Sequence, residues 1–215
     1  MVQFVPDLPV IAAFAIAAFV LAVTPGPDMA LFLSRAINYG RAHGVACLLG
    51  AMTGLVFHSL LAALGISILI AAAPSAFMAL KIAGAVYLLF LAIQALRAGD
   101  TLALAGAGRV RPSLAGSYLT GLGINLLNPK IILFFVTFLP QFVAPDDPAA
   151  AGKLLFLGAE FILVSLPPTI AMIFVAGWLA RVLAQKQWVG RLLNWSFAGV
   201  FTAFAGTILF AEGRR

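Results

Sequence analysis

The amino-acid sequence predicts an all-α integral membrane protein of six transmembrane helices, arranged as two inverted-topology repeats of three. The first indication is composition, because 63% of the 215 residues are hydrophobic, only 9% are charged and the mean hydropathy is +1.11. A soluble domain of this length carries roughly a quarter charged residues. The second is that several apolar runs have the roughly twenty residues needed to cross a bilayer core. The third is a pair of similar proline motifs that interrupt two of these runs.

Six hydrophobic segments follow one another along the chain. They cover about Leu8–Ile37, Gly44–Ala72, Phe77–Leu96, Leu114–Val143, Leu154–Ala180 and Leu193–Ala211. The first is interrupted at Thr24, Pro25, Gly26 and Pro27, and the fourth at Asn128 and Pro129. Proline lacks an N–H and clashes with the carbonyl one turn earlier, so each motif is expected to break its helix. Pro167 and Pro168, near the middle of the fifth segment, are expected to kink it and to act as a hinge.

The segments divide the chain into two parts of one compact membrane domain. Residues 1–97 hold the first three spans and residues 114–215 the last three. The stretch 98–113 between them is rich in Gly and Ala and has the composition of a linker. No basic region precedes the first apolar run, so we expect this run to remain in the mature protein rather than to be cleaved as a signal peptide.

The distribution of basic residues predicts the orientation in the membrane. Loops 1–2, 3–4 and 5–6 hold Arg35, Arg41, Arg97, Arg109, Arg111, Arg181, Lys186 and Arg191, and the other side holds Lys81, Lys153, Arg214 and Arg215. Cytoplasmic loops collect Lys and Arg, which places both termini outside. The same rule explains the net charge of +6 without a nucleic-acid partner. With one cysteine, the chain can form no intrachain disulfide.

The two proline motifs are related by a constant offset. Superimposing Pro27 on Pro129 gives 129 − 27 = 102, and the same offset places Asp28 opposite Lys130. Leu31 and Phe32 then fall on Leu133 and Phe134. Two halves of three spans each must cross the bilayer in opposite senses. Inverted repeats with interrupted helices are typical of secondary transporters, whose substrates bind near the midplane at the repeat interface.

Three stretches of sequence also resemble a known family. They are Thr24-Pro25-Gly26-Pro27, the spaced glycines Gly40, Gly44, Gly50 and Gly54, and Gly123-Ile124-Asn125-Leu126-Leu127-Asn128-Pro129-Lys130. The chain is similar over nearly its whole length to the LysE/RhtB family of amino-acid exporters. The resemblance implies a bacterial inner-membrane exporter of amino acids or close derivatives, driven by the proton gradient and using no organic cofactor. Members of the family export basic, hydroxylated and branched-chain substrates, so the ligand stays undetermined.

Asp28 and Lys130 are the charged residues placed at the two breaks. A carboxylate within the bilayer is usually paired or functional, so Asp28 is a candidate for binding substrate or carrying a proton. It could equally act as an acid at the start of the second half-helix. A cation is unfavourable at a helix N-terminus, so Lys130 should have an anionic partner nearby. Asp28 and Lys130 could form a permanent ion pair, or pair and then separate around a zwitterionic substrate.

Four further polar residues are candidates for binding or proton coupling. Asn125 and Asn128 lie three residues apart and could bind an α-carboxylate or backbone groups freed at the break. For Asn128 a cap on the following half-helix is the simpler role. Glu160 and His58 could carry the coupling proton, since burial shifts the pKa of a carboxyl and histidine titrates near neutrality. Glu160 could also be a solvated interfacial acid, and His58 a buried histidine with one partner.

The four glycines at positions 40, 44, 50 and 54 are expected to let helix backbones approach closely. Packing within a monomer is the default interpretation, and a homodimer interface is the alternative. The partners expected on these grounds are the small-molecule substrate, protons and the lipid bilayer.

Other function classes fit the sequence less well. Zinc proteolysis needs a motif such as His-Glu-x-x-His, whereas the two histidines lie fifteen residues apart, and no other arrangement indicates an enzyme. The alternative that stays open is a divalent or heavy-metal ion exporter. Asp28, Glu160, His58, Cys47 and Met29 could supply ligands, although their spacing matches no metal site.

Overall fold

We analysed a computed structural model of the chain. It describes residues 4–24, 26–66, 111–144 and 147–178, together with isolated helical positions between 82 and 93 and between 188 and 206. The predicted third and sixth spans and most of the linker 98–113 therefore lie largely outside the described residues, as does Pro25.

The described part of the chain is helical throughout, and six α-helices can be numbered in order. They are α1 (Leu8–Val23), α2 (Pro27–Tyr39), α3 (Arg41–Leu61), α4 (Leu114–Leu126), α5 (Pro129–Leu133) and α6 (Ala150–Phe174). A π-helical turn, Ala62–Ile66, extends α3. A second π-helical turn, Phe134–Phe138, and a 3₁₀ turn, Leu139–Phe142, extend α5. The all-helical class predicted from composition is confirmed for these residues.

The first proline motif separates α1 from α2. The Thr24 hydroxyl donates to the Val20 carbonyl over 2.5 Å, which accommodates one carbonyl at the end of α1. Gly26 is extended, with φ −167°, and Pro27 is the first residue of α2, where its missing N–H costs no hydrogen bond. The two helix axes differ by 52°.

The second proline motif separates α4 from α5 in a similar way. Ser113 caps the start of α4, and its side chain accepts from the Gly116 N–H over 2.9 Å. After α4 ends, the Asn128 side chain accepts from the Lys130 N–H over 3.0 Å and Pro129 opens α5. This pair bends by 49°. Both interruptions expected from the sequence are therefore present at the positions of the proline motifs.

Two unbroken helices are long and apolar enough to cross a membrane, and each bent pair could form one further span. The unbroken ones are Arg41–Gly65 and Ala150–Phe174, which gives up to four candidate spans among the described residues. α6 runs through Pro167 and Pro168 without ending. These two prolines therefore do not break α6 into two helices. The two motifs that combine proline with capping residues do end their helices.

Glycines decide how closely α3 and α4 pack. A Cβ at Gly50 would overlap the backbone carbonyl oxygen of Tyr118, and one at Gly121 would overlap that of Cys47. The two glycines thus place backbone against backbone, and the Cys47 thiol donates to the Ser117 carbonyl beside them. At Gly44 a Cβ would lie 3.0 Å from Ala36 and Ile173. The close approach expected at 44 and 50 is therefore present between helices of one chain.

Gly40 departs from this expectation. A Cβ there would meet nothing within 4 Å, so close packing does not require glycine. Its φ is +99°, a conformation that side chains with a Cβ rarely adopt, and it joins α2 to α3 in a tight turn. Gly40 is needed for the turn, and its assignment as a packing residue is wrong.

We expect Gly50→Ala to destabilise the protein by about 1–3 kcal/mol, because an added methyl meets backbone atoms that no rotamer change can move aside. Thermal unfolding of the purified protein in detergent measures this. Gly123→Ala in α4 is the matched control, since a Cβ at Gly123 has open space around it. Equal stability of the two variants would contradict the backbone contact.

The loop before α6 contains an ion pair between Asp147 and Lys153. The carboxylate accepts from Lys153 Nζ over 2.6 Å and from the Ala149 N–H over 2.7 Å. These hydrogen bonds to the charged form hold the pKa of Asp147 below its ordinary value. The pair anchors the first turn of α6.

Candidate functional site

A small cavity lies where the two breaks meet. Six polar residues line it: Thr24 and Asp28 from the first break, Asn125 and Lys130 from the second, and Ser165 and Thr169 from α6. Apolar side chains, among them Met29, Phe32, Met52 and Phe161, complete the wall. The cavity has a volume of about 40 Å³. That volume holds a water molecule but is small for an amino acid, so binding a larger ligand would require the helices around it to move.

Asp28 lies in the first turn of α2 and faces the second break. Its Oδ2 accepts from the Asn125 side-chain amide over 2.8 Å. Its other oxygen, Oδ1, is buried and has no hydrogen-bond partner among the described residues. A buried carboxylate oxygen of this kind is costly, and it is available to a donor that enters the cavity.

The side chain of Lys130 extends from the second break toward the first, whereas that of Asp28 extends from the first toward the second. Its Nζ donates to the carbonyls of Thr24, over 2.9 Å, and of Leu21, over 3.3 Å. The side chain is buried, and a Cβ at Gly26 would lie 3.1 Å from Nζ. A cation at the carboxyl end of α1 interacts favourably with the helix dipole, which resolves the unfavourable position of this lysine in its own helix.

The direct Asp28–Lys130 ion pair considered from the sequence is not formed in this structure. The two charges line one cavity and attract each other at longer range, but each group's hydrogen bonds go elsewhere. The physical reason is the broken end of α1, where the Thr24 carbonyl and the Leu21 carbonyl, which also accepts from the Thr24 N–H over 3.2 Å, bind the ammonium instead. A permanent structural ion pair is therefore wrong for this conformation.

The contacts at the two breaks are reciprocal. The charged residue that follows the first break is bound by Asn125, which precedes the second. The charged residue that follows the second break is bound by carbonyls that precede the first. Both contacts connect the part of the chain before residue 97 to the part after residue 114.

Residues of α3 pack against Asn125. It is almost fully buried, and a Cβ at Gly54 would lie only 2.5 Å from its Oδ1. The ring of His58, also buried, interacts with the Asn125 carbonyl through Nε2 at 3.3 Å and lies beside the Phe135 ring. Gly54 therefore provides space for the asparagine side chain, and His58 contacts its backbone from outside the cavity wall.

The other predicted residues occupy different positions. Asn128 caps α5, and its buried Nδ2 has no hydrogen-bond partner among the described residues. Glu160 in α6 is half-buried and does not line the cavity. The described residues contain no group of three or more His, Cys, Asp or Glu side chains that could hold a metal ion.

The sequence reasoning missed Ser165 and Thr169. Both hydroxyls donate to carbonyls of α6, Ser165 to Ile162 over 3.1 Å and Thr169 to Ser165 over 2.8 Å. Their protons are committed, so toward the cavity these oxygens can only accept. The available signal was their position on either side of Pro167 and Pro168, where small polar residues would face a helix interior.

Comparison with known proteins decides the family. The family model described as "LysE type translocator" matches residues 19–212, nearly the whole chain. The chain belongs to the LysE type translocator family. The family predicted from the proline and glycine motifs is thereby confirmed, and this LysE family member is a multi-pass bacterial membrane protein of a transporter family.

Individual relatives agree with this assignment. The chain is 30% identical over 194 residues to the homoserine/homoserine lactone efflux protein of Salmonella typhimurium, covering 88% of this chain and 90% of the relative. It is 29% identical over 200 residues to the leucine efflux protein of an Enterobacter species, covering 91% and 92%. It is also 28% identical to the uncharacterized membrane protein YrhP of Bacillus subtilis, covering 91% and 92%. No solved structure matches the LysE family member.

Proposed function

We propose that this LysE family member exports a neutral amino acid, or a close derivative, across the bacterial inner membrane by proton-coupled alternating access. The observation that carries the proposal is the cavity at the two breaks, which combines one carboxylate, one ammonium and an otherwise uncharged wall. The efflux proteins for homoserine and for leucine, similar over about nine-tenths of the chain, support the substrate class.

In this proposal the substrate ammonium binds the free Oδ1 of Asp28. A buried carboxylate oxygen without a donor favours a cationic hydrogen-bond donor, and Asn125 fixes the carboxylate through Oδ2. Lys130, which lines the same cavity, attracts the substrate carboxylate through its charge, while its hydrogen bonds go to the end of α1. Asn128 is outside the lining that the structure describes, and its amide contributes to the site through the Asp28 carboxyl.

The uncharged wall supports a substrate with a neutral side chain. Apart from Asp28 and Lys130, the lining residues that the structure describes are apolar side chains, one amide and three hydroxyls. A basic or acidic side chain would be buried there without a partner, at a cost of several kcal/mol. A leucine-like side chain suits Met29, Phe32 and Phe161, and a hydroxylated one also suits Ser165 or Thr169.

We further propose the complete architecture of six spans, two inverted repeats at 1–97 and 114–215, and both termini outside. The reciprocal contacts at the breaks support the repeats, because a pseudo-twofold axis would exchange the Asp28 and Lys130 contacts. Three residues were considered for proton coupling. Asp28 lines the cavity, His58 contacts the backbone carbonyl of Asn125, which lines it, and Glu160 does not line the cavity.

The test is a panel of labelled amino acids, loaded into cells with and without the protein. We expect faster loss of one or more neutral amino acids from the expressing cells, and unchanged retention of lysine and glutamate. A parallel assay of sensitivity to divalent and heavy metals addresses the rival function, for which the described residues offer no ligand group. Metal resistance without amino-acid efflux would overturn the proposal.

A further inference from the structure

The ammonium of Lys130 occupies a position where secondary transporters commonly bind a coupling ion. In their broken helices, free carbonyls at the carboxyl end of a half-helix coordinate Na⁺ or a proton-carrying group. Here the carbonyls of Leu21 and Thr24 lie at the carboxyl end of α1, and both accept from Lys130 Nζ, although the Leu21 carbonyl also accepts from the Thr24 N–H. The cation at this position is therefore part of the chain.

We propose that Lys130 carries the coupling proton of this transporter, as a tethered cation that replaces a transported Na⁺. This inference rests on the proposed export function and names the group that couples export to the proton gradient. When Lys130 is charged, its ammonium ties the end of α1 to the start of α5. When it loses its proton, the neutral amine holds the carbonyls weakly and the two breaks can separate.

The bond changes are those of a simple proton transfer. One N–H bond of the ammonium breaks, its electron pair stays on Nζ, and the proton passes to water on the cytoplasmic side. Reprotonation from the outer side restores the ammonium and its hydrogen bonds. One proton therefore moves inward for each cycle, and no other reactant is needed.

Asp28 links substrate binding to proton release, because the substrate ammonium and the Lys130 ammonium are both attracted by its carboxylate. It lines the same cavity as Lys130 and carries the opposite charge, so the field of the carboxylate attracts the ammonium. A substrate ammonium bound at Asp28 Oδ1 neutralises that field and repels the charge on Lys130, which promotes loss of the proton. Mutually exclusive binding of proton and substrate is the requirement for antiport.

Besides Asp28, the groups packed around the lysine come from α3, α6 and α1. His58 of α3 interacts electrostatically with Asp28, and its ring contacts the Asn125 carbonyl. From α6, the cavity receives Ser165 and Thr169, which do not titrate in this range, while Glu160 lies outside the lining. From α1, only backbone carbonyls reach Nζ.

The experiment reconstitutes the purified protein in liposomes and measures two activities for a substrate found in the panel. One is exchange of labelled for unlabelled substrate without a gradient, and the other is uphill accumulation driven by a pH gradient with Na⁺ absent. For the wild type we expect both. For Lys130→Arg, which keeps the cation but cannot release a proton, the two breaks should stay tied, so we expect both exchange and uphill accumulation to be lost.

Lys130→Met is the second variant, because Gly26 leaves little space around Nζ and arginine could disturb the fold. It removes the tie and the proton carrier together, so it should lose uphill accumulation and still exchange substrate at saturating concentration, with a higher apparent KM because the charge that attracts the substrate carboxylate is gone. Gel filtration and thermal unfolding establish that each variant is folded. Uphill accumulation that persists in a folded variant, or exchange at saturating substrate that is lost in folded Lys130→Met, overturns the assignment. So does a wild-type requirement for Na⁺. Absence of any exchange in the wild type would instead refute the proposed export function.

Discussion

Asp28→Asn is expected to reduce export by about 10- to 100-fold, the effect of losing one charge-assisted hydrogen bond worth roughly 1.5–3 kcal/mol. The substitution preserves the shape of the side chain and can keep a contact with Asn125. What it removes is the negative charge at Oδ1, which belongs to the only carboxylate among the described residues that line the cavity. Initial export rates over a range of internal substrate concentrations measure the change.

The control for this substitution is Asp147→Asn. It neutralises a carboxylate of the same type in the loop before α6, away from the cavity. Export by this control should remain near that of the wild type. Because Asp28 is assigned to substrate binding, its loss should appear mainly as a higher apparent KM. Full activity of Asp28→Asn would refute recognition of the substrate ammonium by this residue.

The second large effect is expected for Gly54→Ala, at about tenfold or more in export, although Gly54 does not itself line the cavity. An added Cβ would lie 2.5 Å from Asn125 Oδ1 and 3.1 Å from its Cβ. The asparagine side chain can rotate away, so the fold should survive. Its hydrogen bond to Asp28 would then be lost, and the carboxylate would be free to reorient.

A double-mutant cycle shows whether Gly54 acts through Asn125. Asn125→Ala removes Oδ1 and Cγ, two of the three atoms that the new methyl would meet, and leaves only the Cβ at 3.1 Å, so Gly54→Ala should add much less in that background. Export rates and thermal unfolding of the four proteins complete the cycle. Gly50→Ala provides the contrast within α3, because its clash is with backbone and should lower stability. Strictly additive effects of Gly54→Ala and Asn125→Ala would indicate a separate role for Gly54.

The breaks were predictable because their chemistry is local. Pro27 and Pro129 remove backbone donors, Asn128 can cap the helix that follows, and a run of about twenty apolar residues needs a membrane. The family was predictable from the same motifs, because the two together, about a hundred residues apart, form a specific pattern.

The partners of the charged residues were not predictable, because they depend on side-chain direction across two distant breaks. Opposite charges at equivalent positions suggested an Asp28–Lys130 pair. Backbone carbonyls at the end of α1 compete with Asp28 for the ammonium, and a sequence does not show that they lie within reach of it. Those carbonyls bind Lys130, and Asp28 binds Asn125. Gly40 was misassigned for a related reason, since a glycine needed for a turn and one needed for packing look alike in a sequence.

A helical membrane protein of the LysE family, with two interrupted helices and polar residues beside them, is therefore predictable from the order of its residues. The contacts between those residues depend on how distant helices pack: Asp28 meets Asn125, Lys130 meets the end of α1, and Ser165 and Thr169 face both across one cavity. The physical reason is the range of the interactions. Proline geometry and hydrophobicity act within a few residues, whereas buried charges are satisfied by whichever partners the packing of distant helices brings within hydrogen-bond distance.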